Sequence, residues 1–327
     1  MHNILQQLSQ HTIVVADTGD LDAIERLQPV EATTNPALIT AAASLPNNLS
    51  LLEAAHAQAY AEGLRQDQLI ERMITLLTVQ LGVRILQRIR GRVSTEVDAR
   101  LSYDTAATLQ QARELVDLYA AAGISTDRIL IKIAATWEGI QAAQQLELEG
   151  IHCNLTLLFG QHQATACADA NVTLISPFVG RILDWQKQQQ QRSHIPITED
   201  AGVQSVKHIY TYYKQHGYRT EVMGASFRSI EQIIALAGCD LLTISPALLD
   251  QLSQQQGHLP IALSSAWAAQ QPTIPKQSLS ASQFMQRHKQ DLMASTLLRS
   301  GIDGFIKARE QLSHQLRQEF GVGDLAV

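Results

Sequence analysis

The chain has 327 residues, of which 45% are hydrophobic and 17% are charged, and its formal net charge is −6. This length and apolar fraction can bury one large core, so we predict a single domain spanning residues 1–327. The absence of clustered positive charge argues against a nucleic-acid partner, and no apolar run approaches the length of a membrane span. The three cysteines are widely spaced within apolar segments. They predict reduced thiols in a cytoplasmic protein without a disulfide framework.

Eight short apolar runs alternate with longer segments of helical periodicity. Most of the runs are rich in Ile, Val and Leu, as is typical of parallel strands covered on both faces. Eight parallel strands can close into a barrel, so the rhythm predicts a (β/α)8 TIM barrel. The pattern alone leaves an open doubly wound sheet as the alternative. The runs are residues 13–17, 31–35, 93–98, 129–134, 153–157, 172–176, 220–224 and 240–245.

Capping residues predict where several of the intervening helices begin and end. Asp104 or Thr105 can open a helix that Gly123 ends, because Asp and Thr favour N-caps and Gly favours the position after a helix. In the same way, we predict one helix from Thr136 to Gly150 and another from about Ser229 to Gly238.

Three stretches interrupt this rhythm. Residues 41–92 are too long for one connection and predict extra helices between strands 2 and 3. Residues 186–204 are polar and Gln-rich and predict an exposed insertion after strand 6. Residues 253–280 predict a long surface connection to a C-terminal helical segment, at about residues 282–320.

Polar residues lie near the ends of the apolar runs, where barrels of this kind bind their ligands. Residues two apart on a strand share a face, and polar groups facing a barrel interior are costly unless they are paired or functional. Such polar sets therefore predict a site at the barrel mouth. They are Ser94 with Glu96 and Asp98, and Asn154 with Thr156, while Ser176 shares a face with the apolar residues Leu174 and Phe178.

Lys132 is the most informative residue, because it interrupts the apolar run Ile-Leu-Ile-Lys-Ile-Ala. Burial disfavours the charged form of lysine, and a neutral amine is a nucleophile toward carbonyl groups. The alternatives are a lysine that reaches solvent from a strand edge and a lysine neutralised in a structural ion pair.

Two carboxylates are candidates for proton transfer beside this lysine. Asp17 ends the first strand, and its alternative role is to cap the next helix, although Asp20 could do that instead. Glu96 lies within a strand, where a structural salt bridge with Lys132 or Arg100 is the alternative.

Arg181 and Arg228 each follow a strand end, and the planar guanidinium group suits a phosphate. A surface salt bridge remains the alternative for each. The eleven histidines show no compact metal-ligand spacing, and no Gly-rich nucleotide-binding motif follows a strand. We therefore predict neither a metal nor a cofactor.

Seven segments, in order along the chain, resemble the transaldolase family. They are residues 12–20 (TIVVADTGD), 32–36 (ATTNP), 91–104 (GRVSTEVDARLSYD), 128–134 (RILIKIA), 154–159 (NLTLLF), 175–185 (ISPFVGRILDW) and 222–228 (VMGASFR). The Gln-rich segment and residues 253–290 fit the family poorly.

The resemblance implies a metal-independent (β/α)8 enzyme that transfers dihydroxyacetone between sugar phosphates. The family converts sedoheptulose 7-phosphate and glyceraldehyde 3-phosphate into erythrose 4-phosphate and fructose 6-phosphate, within the pentose phosphate pathway. Carried over, the catalytic residues are Lys132 as the imine-forming lysine, Asp17 as the acid/base, and Glu96 with Thr156 as holders of a water. The substrate-binding residues are Asn35, Asn154 and Ser176 for hydroxyls, Arg181, Ser226 and Arg228 for phosphate, and Phe178 lining the site.

Two other functions remain alternatives. One is a fructose 6-phosphate aldolase-like lyase that releases free dihydroxyacetone. The other is a barrel that only binds sugar phosphates, which loss of Lys132 or Asp17 would mark. The sequence also leaves a homodimer open.

Overall fold

A computed structural model describes residues 3–322, in which eight parallel strands form a closed barrel. The strands pair in chain order, and β8 closes the barrel against β1 with Leu241 opposite Ile13. The predicted (β/α)8 barrel is confirmed, and the open sheet is wrong. The strands are β1 Ile13–Asp17, β2 Glu31–Thr33, β3 Val93–Glu96, β4 Ile129–Ala134, β5 Cys153–Leu158, β6 Leu174–Pro177, β7 Glu221–Gly224 and β8 Leu241–Ile244.

Helices surround this barrel and follow its strands in the connections. They are α1 Ile4–Leu8, α2 Leu21–Leu27, α3 Pro36–Ala43, α4 Leu49–Ala61, α5 Gln66–Leu86, α6 Thr105–Ala121, α7 Trp137–Leu148, α8 Gln161–Asp169, α9 Gly180–Gln190, α10 Ala201–Gln215, α11 Ile230–Ile234, α12 Pro246–Gln254, α13 Ser265–Ala269, α14 Ala281–Gln290 and α15 Leu292–Phe320. None of the helices in residues 3–322 is long and apolar enough to cross a membrane.

The caps read from the sequence explain where several helices begin. The side chains of Asp104 and Thr136 accept hydrogen bonds from the first turns of α6 and α7. Gly123 and Gly150 follow these helices with φ of +77°, a conformation that glycine adopts without strain. The helix predicted from Ser229 to Gly238 begins as expected but ends already at Ile234.

The predicted interruptions have different outcomes. Residues 41–92 do contain extra helices, α4 and α5. The exposed insertion predicted at residues 186–204 is wrong in part, because residues 186–190 complete α9 and residues 201–204 begin α10. Glutamine is a good helix former, so a polar Gln run can continue a helix whose other face is buried. Residues 253–280, predicted as a long connection, contain the end of α12 and the short helix α13. They lead to α14 and α15, which form the predicted C-terminal helical segment.

An apolar layer fills the barrel interior on the side away from the C-terminal ends of the strands. Val15, Leu130, Leu174, Met223 and Leu241 pack together there and are almost completely buried. The residue two positions further along each of these strands points to the same side, one layer closer to the C-terminal mouth. Those next residues are Asp17, Lys132, Ser176 and Thr243, together with Ala225, which directly follows β7 and continues its pairing through a bridge to Phe178. The apolar layer thus supports a largely polar layer at the mouth.

Candidate active site

Lys132 lies inside the barrel, in the centre of β4, and is 4% exposed. Its Nζ lies 3.2 Å from Oε2 of Glu96, its neighbour across the β3–β4 pair, and donates a hydrogen bond of 3.1 Å to the carbonyl of Thr34. A closed barrel offers no strand edge, so the alternative of a lysine reaching solvent is wrong. The ion pair between Lys132 and Glu96, which was the other alternative, is present, and it is part of the candidate site.

A cavity of about 240 Å³ opens at the C-terminal ends of the strands, directly above Lys132. Nine of the eleven predicted site residues line it, which brings together residues from β1 to the β7–α11 loop. They are Asp17, Asn35, Lys132, Thr156, Ser176, Phe178, Arg181, Ser226 and Arg228. The other two, Glu96 and Asn154, lie behind this lining, against Lys132 and Ser176 respectively.

Asp17 faces this cavity from the end of β1. Thr33 donates a hydrogen bond to its Oδ1 over 3.0 Å, and the Thr33 hydroxyl lies 2.6 Å from that of Thr243. Burial raises the pKa of Asp17, while the positive charge of Lys132 and the Thr33 hydrogen bond lower it. The helix-capping alternative is wrong, because Asp20 caps α2 by accepting from two backbone amides.

Glu96 and Thr156 are buried beside Lys132. The Glu96 side chain is 4% exposed, and this burial raises its pKa against the lowering effect of Lys132. The hydroxyl of Thr156 is fully buried and has no hydrogen-bond partner within residues 3–322. Buried polar groups of this kind are commonly satisfied by an ordered water.

Asp98 does not join this set, although the alternation of β3 predicted that it would share a face with Glu96. The strand ends at Glu96, so side-chain alternation stops there. Asp98 instead caps the short turn that follows, and its carboxylate pairs with Arg100 and with Arg309 of α15.

Hydrogen bonds fix the amide and hydroxyl groups that face the barrel interior. Asn154, on β5, accepts from the Ser176 hydroxyl of β6 over 2.6 Å and donates to the Ser94 hydroxyl of β3 over 3.0 Å, so residues of two other strands hold its orientation. Asn35 is the N-cap of α3 and accepts from the Leu38 backbone amide. Its carbonyl oxygen is therefore oriented by the helix while the residue borders the cavity.

Two arginines form the positively charged end of the cavity. Arg181 has no carboxylate within ion-pairing distance in the described part of the chain, and its guanidinium lies 5.2 Å from the Phe178 ring centroid. Burial and the nearby charge of Arg228 lower its pKa. Arg228 pairs with Asp184 over 2.7 Å, so the surface salt bridge proposed as its alternative is present. Uncompensated positive charge at Arg181 nevertheless makes this end suited to an anion.

The long helix α15 covers the cavity from above. Its Phe305 is 6% exposed and places its ring centroid 5.8 Å from Nζ of Lys132. Gly301 permits the close approach, because a Cβ there would lie 2.6 Å from Leu157. Phe159 and Phe178 meet edge to face, with ring centroids 5.5 Å apart, and belong to the same apolar cluster as Phe305.

Several lining residues escaped the sequence analysis, among them Thr33, Thr243, Ser245 and Phe305. The alternation of β8 carried a signal for Thr243, because Leu241 belongs to the apolar layer below it. No comparable signal identifies Phe305, since the strand pattern says nothing about which helix crosses the mouth.

The described residues contain no group of three or more His, Cys, Asp or Glu side chains placed to hold a metal ion. The three cysteines are buried free thiols. The charged side chains at this cavity are those of Lys132, Asp17, Arg181 and Arg228, with Glu96 directly behind Lys132.

Known proteins support a family assignment. A sequence model of the Transaldolase/Fructose-6-phosphate aldolase family matches residues 14–316. The chain is 58% identical over 319 residues to a transaldolase of Thermosynechococcus vestitus, covering 97% of this chain and 81% of that protein. It is also 55% identical over 317 residues to a transaldolase of Methylococcus capsulatus, covering 96% of both chains.

Proposed function

The chain belongs to the transaldolase/fructose-6-phosphate aldolase family, and from this premise we propose that it is a transaldolase acting through an imine on Lys132. The relatives' names support the transferase activity. The proposed reaction converts sedoheptulose 7-phosphate and glyceraldehyde 3-phosphate into erythrose 4-phosphate and fructose 6-phosphate. The cytoplasmic location and the homodimer stay predictions from the sequence.

The observation that carries the proposal is the position of Lys132 beneath a cavity bordered by Asp17 and, at its far end, by two arginines. Lys132 adds to the ketone carbon of the donor, and loss of water gives a protonated imine. Glu96 and Thr156 are proposed to hold that water, because the carboxylate contacts Lys132 and the Thr156 hydroxyl lacks a partner in the described chain. Burial raises the pKa of Glu96 and so favours the proton-carrying form that imine formation requires.

Asp17 then acts as the base that starts carbon–carbon cleavage. It takes the proton of the donor hydroxyl next to the scissile bond, and the bond's electron pair moves into the protonated imine. The aldose phosphate leaves, and a three-carbon enamine stays on Lys132. An incoming aldose phosphate reverses these steps, with Asp17 returning the proton. The protonated imine accepts the electron pair and Asp17 accepts the proton, so cleavage needs no further reactant.

The remaining predicted residues bind and orient the substrate. Asn35, Asn154 and Ser176 are proposed to bind hydroxyl groups of the three-carbon unit, which fits their place around Lys132. The phosphate is proposed to bind between Arg181 and Arg228. Ser226, in the loop after β7 and two residues before Arg228, is proposed to bind it as well. We also propose that Phe178 and the covering helix shield the enamine, because premature protonation and hydrolysis would release dihydroxyacetone instead of transferring it.

Borohydride trapping tests the imine directly. The protein is incubated with fructose 6-phosphate and then with borohydride, and the adduct is located by mass spectrometry. We expect a three-carbon adduct on Lys132. Asp17→Asn is the matched control: it should still form the imine but not cleave it, so that the six-carbon sugar phosphate is trapped. Absence of any adduct on Lys132 in the unmodified protein would sink the mechanism.

A second measurement separates transfer from simple cleavage. Turnover of fructose 6-phosphate is followed with and without erythrose 4-phosphate, and free dihydroxyacetone is assayed in parallel. A transaldolase requires the acceptor for turnover. Release of dihydroxyacetone at a comparable rate without acceptor would favour the aldolase-like lyase, and tight binding without turnover would favour the sugar-phosphate-binding barrel.

A further inference from the structure

A second, smaller cavity lies on the other side of Glu96 from the substrate cavity. It has about 40 Å³ of space, bordered by helices α3, α5, α6 and α15 and by the end of β3. Asn35 borders both cavities, whereas Glu96 borders the smaller one and Lys132 the larger. Asn35 and the contact between Glu96 and Lys132 therefore lie between the two spaces.

The dimensions and walls of this second cavity suit water. A buried water needs roughly 10–15 Å³ of such space and two to four polar partners, so the cavity can hold about three. Thr75 and Thr78 donate their hydroxyl hydrogens to the backbone of α5, over 3.2 and 2.8 Å. Lone pairs on their oxygens are left to accept hydrogen bonds from water, and Glu96 supplies a carboxylate at the opposite side.

The proposed reaction requires water to leave and return while substrate occupies the larger cavity. Each imine formed releases one water, and each imine hydrolysed consumes one. A sugar phosphate that extends from Lys132 to Arg181 lies across the direct path from the barrel mouth, and Phe305 covers Lys132 from above. Glu96 is next to the reacting nitrogen and borders a space that the sugar does not need to enter.

We propose that the second cavity supplies and receives the water that Glu96 and Thr156 hold beside Lys132, and that Glu96 carries the protons of this exchange. The inference rests on the function proposed above. In imine formation, Glu96 gives a proton to the departing hydroxyl, water leaves toward the second cavity, and the nitrogen lone pair forms the C=N bond. In hydrolysis, a water from the cavity adds to the imine carbon, a proton returns to the Glu96 carboxylate, and the C=N electron pair returns to nitrogen.

Filling the cavity should slow only the steps that move water. Thr78→Leu adds bulk and removes a hydroxyl, whereas the matched control Thr78→Ser keeps the hydroxyl and leaves the space open. Leu312→Phe fills the cavity from the α15 side and replaces Thr78→Leu if that variant does not fold. Protein that carries the unreduced three-carbon enamine on Lys132 is mixed with erythrose 4-phosphate and quenched with borohydride at successive times.

Mass spectrometry of Lys132 then resolves two events. Conversion of the three-carbon into a seven-carbon adduct reports carbon–carbon bond formation, which uses no water. Loss of the seven-carbon adduct reports hydrolysis. In the filled variants we expect unchanged conversion and hydrolysis slower by about fivefold to tenfold, the rate equivalent of one lost hydrogen bond. Equal hydrolysis rates in filled and control variants, or equal slowing of both events, would overturn the proposal. Failure of the unmodified protein to form any adduct would instead contradict the function on which it rests.

Discussion

Thr33 donates a hydrogen bond to the carboxylate of Asp17, with 3.0 Å between Oγ1 and Oδ1. Burial raises the pKa of Asp17, and the charge of Lys132 and then this hydrogen bond lower it. We predict that Thr33→Val raises this pKa, because the ionised carboxylate loses a donor. Cleavage needs ionised Asp17, so the acid limb of the kcat/KM profile should move to higher pH by about half a unit to one unit.

Thr243→Val is the control for that measurement. Its hydroxyl lies 2.6 Å from that of Thr33 but does not contact Asp17. Because Thr33 gives its hydrogen to Asp17, Thr243 must be the donor between the two hydroxyls. Its removal leaves the carboxylate's bond in place and should shift the acid limb less. An acid limb that stays in place in an active Thr33→Val variant would contradict this role of the hydroxyl.

Phe305 should influence whether the three-carbon unit is transferred or released. Phe305→Ala opens the space above Lys132, so water can reach the enamine and the imine more easily. We expect the ratio of free dihydroxyacetone to transferred product to rise by about tenfold, a change of about 1.4 kcal/mol in the competing barriers. Phe305→Leu keeps an apolar cover and should stay closer to the unmodified protein. The ratio is measured by parallel product assays, and an unchanged ratio in Phe305→Ala would contradict the shielding role.

Arg181 should contribute more to phosphate binding than Arg228. Arg181 has no carboxylate partner in the part of the chain that the structure describes, whereas the charge of Arg228 is already balanced by Asp184. We expect Arg181→Met to raise the KM of erythrose 4-phosphate by about 10- to 100-fold, as for loss of charge-assisted hydrogen bonds. Arg228→Met should raise it less.

The acceptor erythrose, which lacks the phosphate, separates a binding effect from a structural one. Loss of Arg181 should leave the kcat/KM for erythrose nearly unchanged if the guanidinium acts on the phosphate. A comparable loss with both acceptors would mean that the substitution disturbs the barrel mouth instead. Asp184→Asn gives the opposite change, because it frees the Arg228 charge and should lower the KM of the phosphorylated acceptor.

The sequence was sufficient to predict the barrel and the strand residues of the mouth from local alternation. Arg181 and Arg228 were predicted from their place after strand ends, and Asn35 and Ser226 from the family resemblance. Strand periodicity places Asp17, Lys132, Ser176 and Thr243 each two residues after a member of the apolar layer, whereas Glu96 and Thr156 follow the polar residues Ser94 and Asn154. Asp98 was misplaced because alternation has no meaning beyond the last residue of a strand. Phe305 could not be found, since it reaches Lys132 only through the packing of α15 across the barrel.

His162 gives a prediction about stability rather than catalysis. The Nε2 atom of His162 lies 2.9 Å from Nδ1 of His288, and this contact joins α8 to α14. The His162 ring also packs edge to face on Phe284. Burial, followed by repulsion from His288 and Arg287, lowers the pKa of His162 to about 4 from an ordinary value of 6.5. The unfolded chain therefore takes up this proton as the pH falls below about 6.5, and the folded chain does so only near pH 4.

It follows that the free energy of unfolding should fall between pH 6.5 and pH 4, by on the order of 3 kcal/mol from this residue. His162→Gln cannot take up the proton, so its stability should depend less steeply on pH across this window, whatever its stability at pH 7. Exposed His194→Gln serves as the control and should keep the slope of the unmodified protein. Urea unfolding at pH 7, 6, 5 and 4.5 measures the slopes. Parallel slopes for all three proteins would show that the pair of histidines does not resist protonation in the folded state.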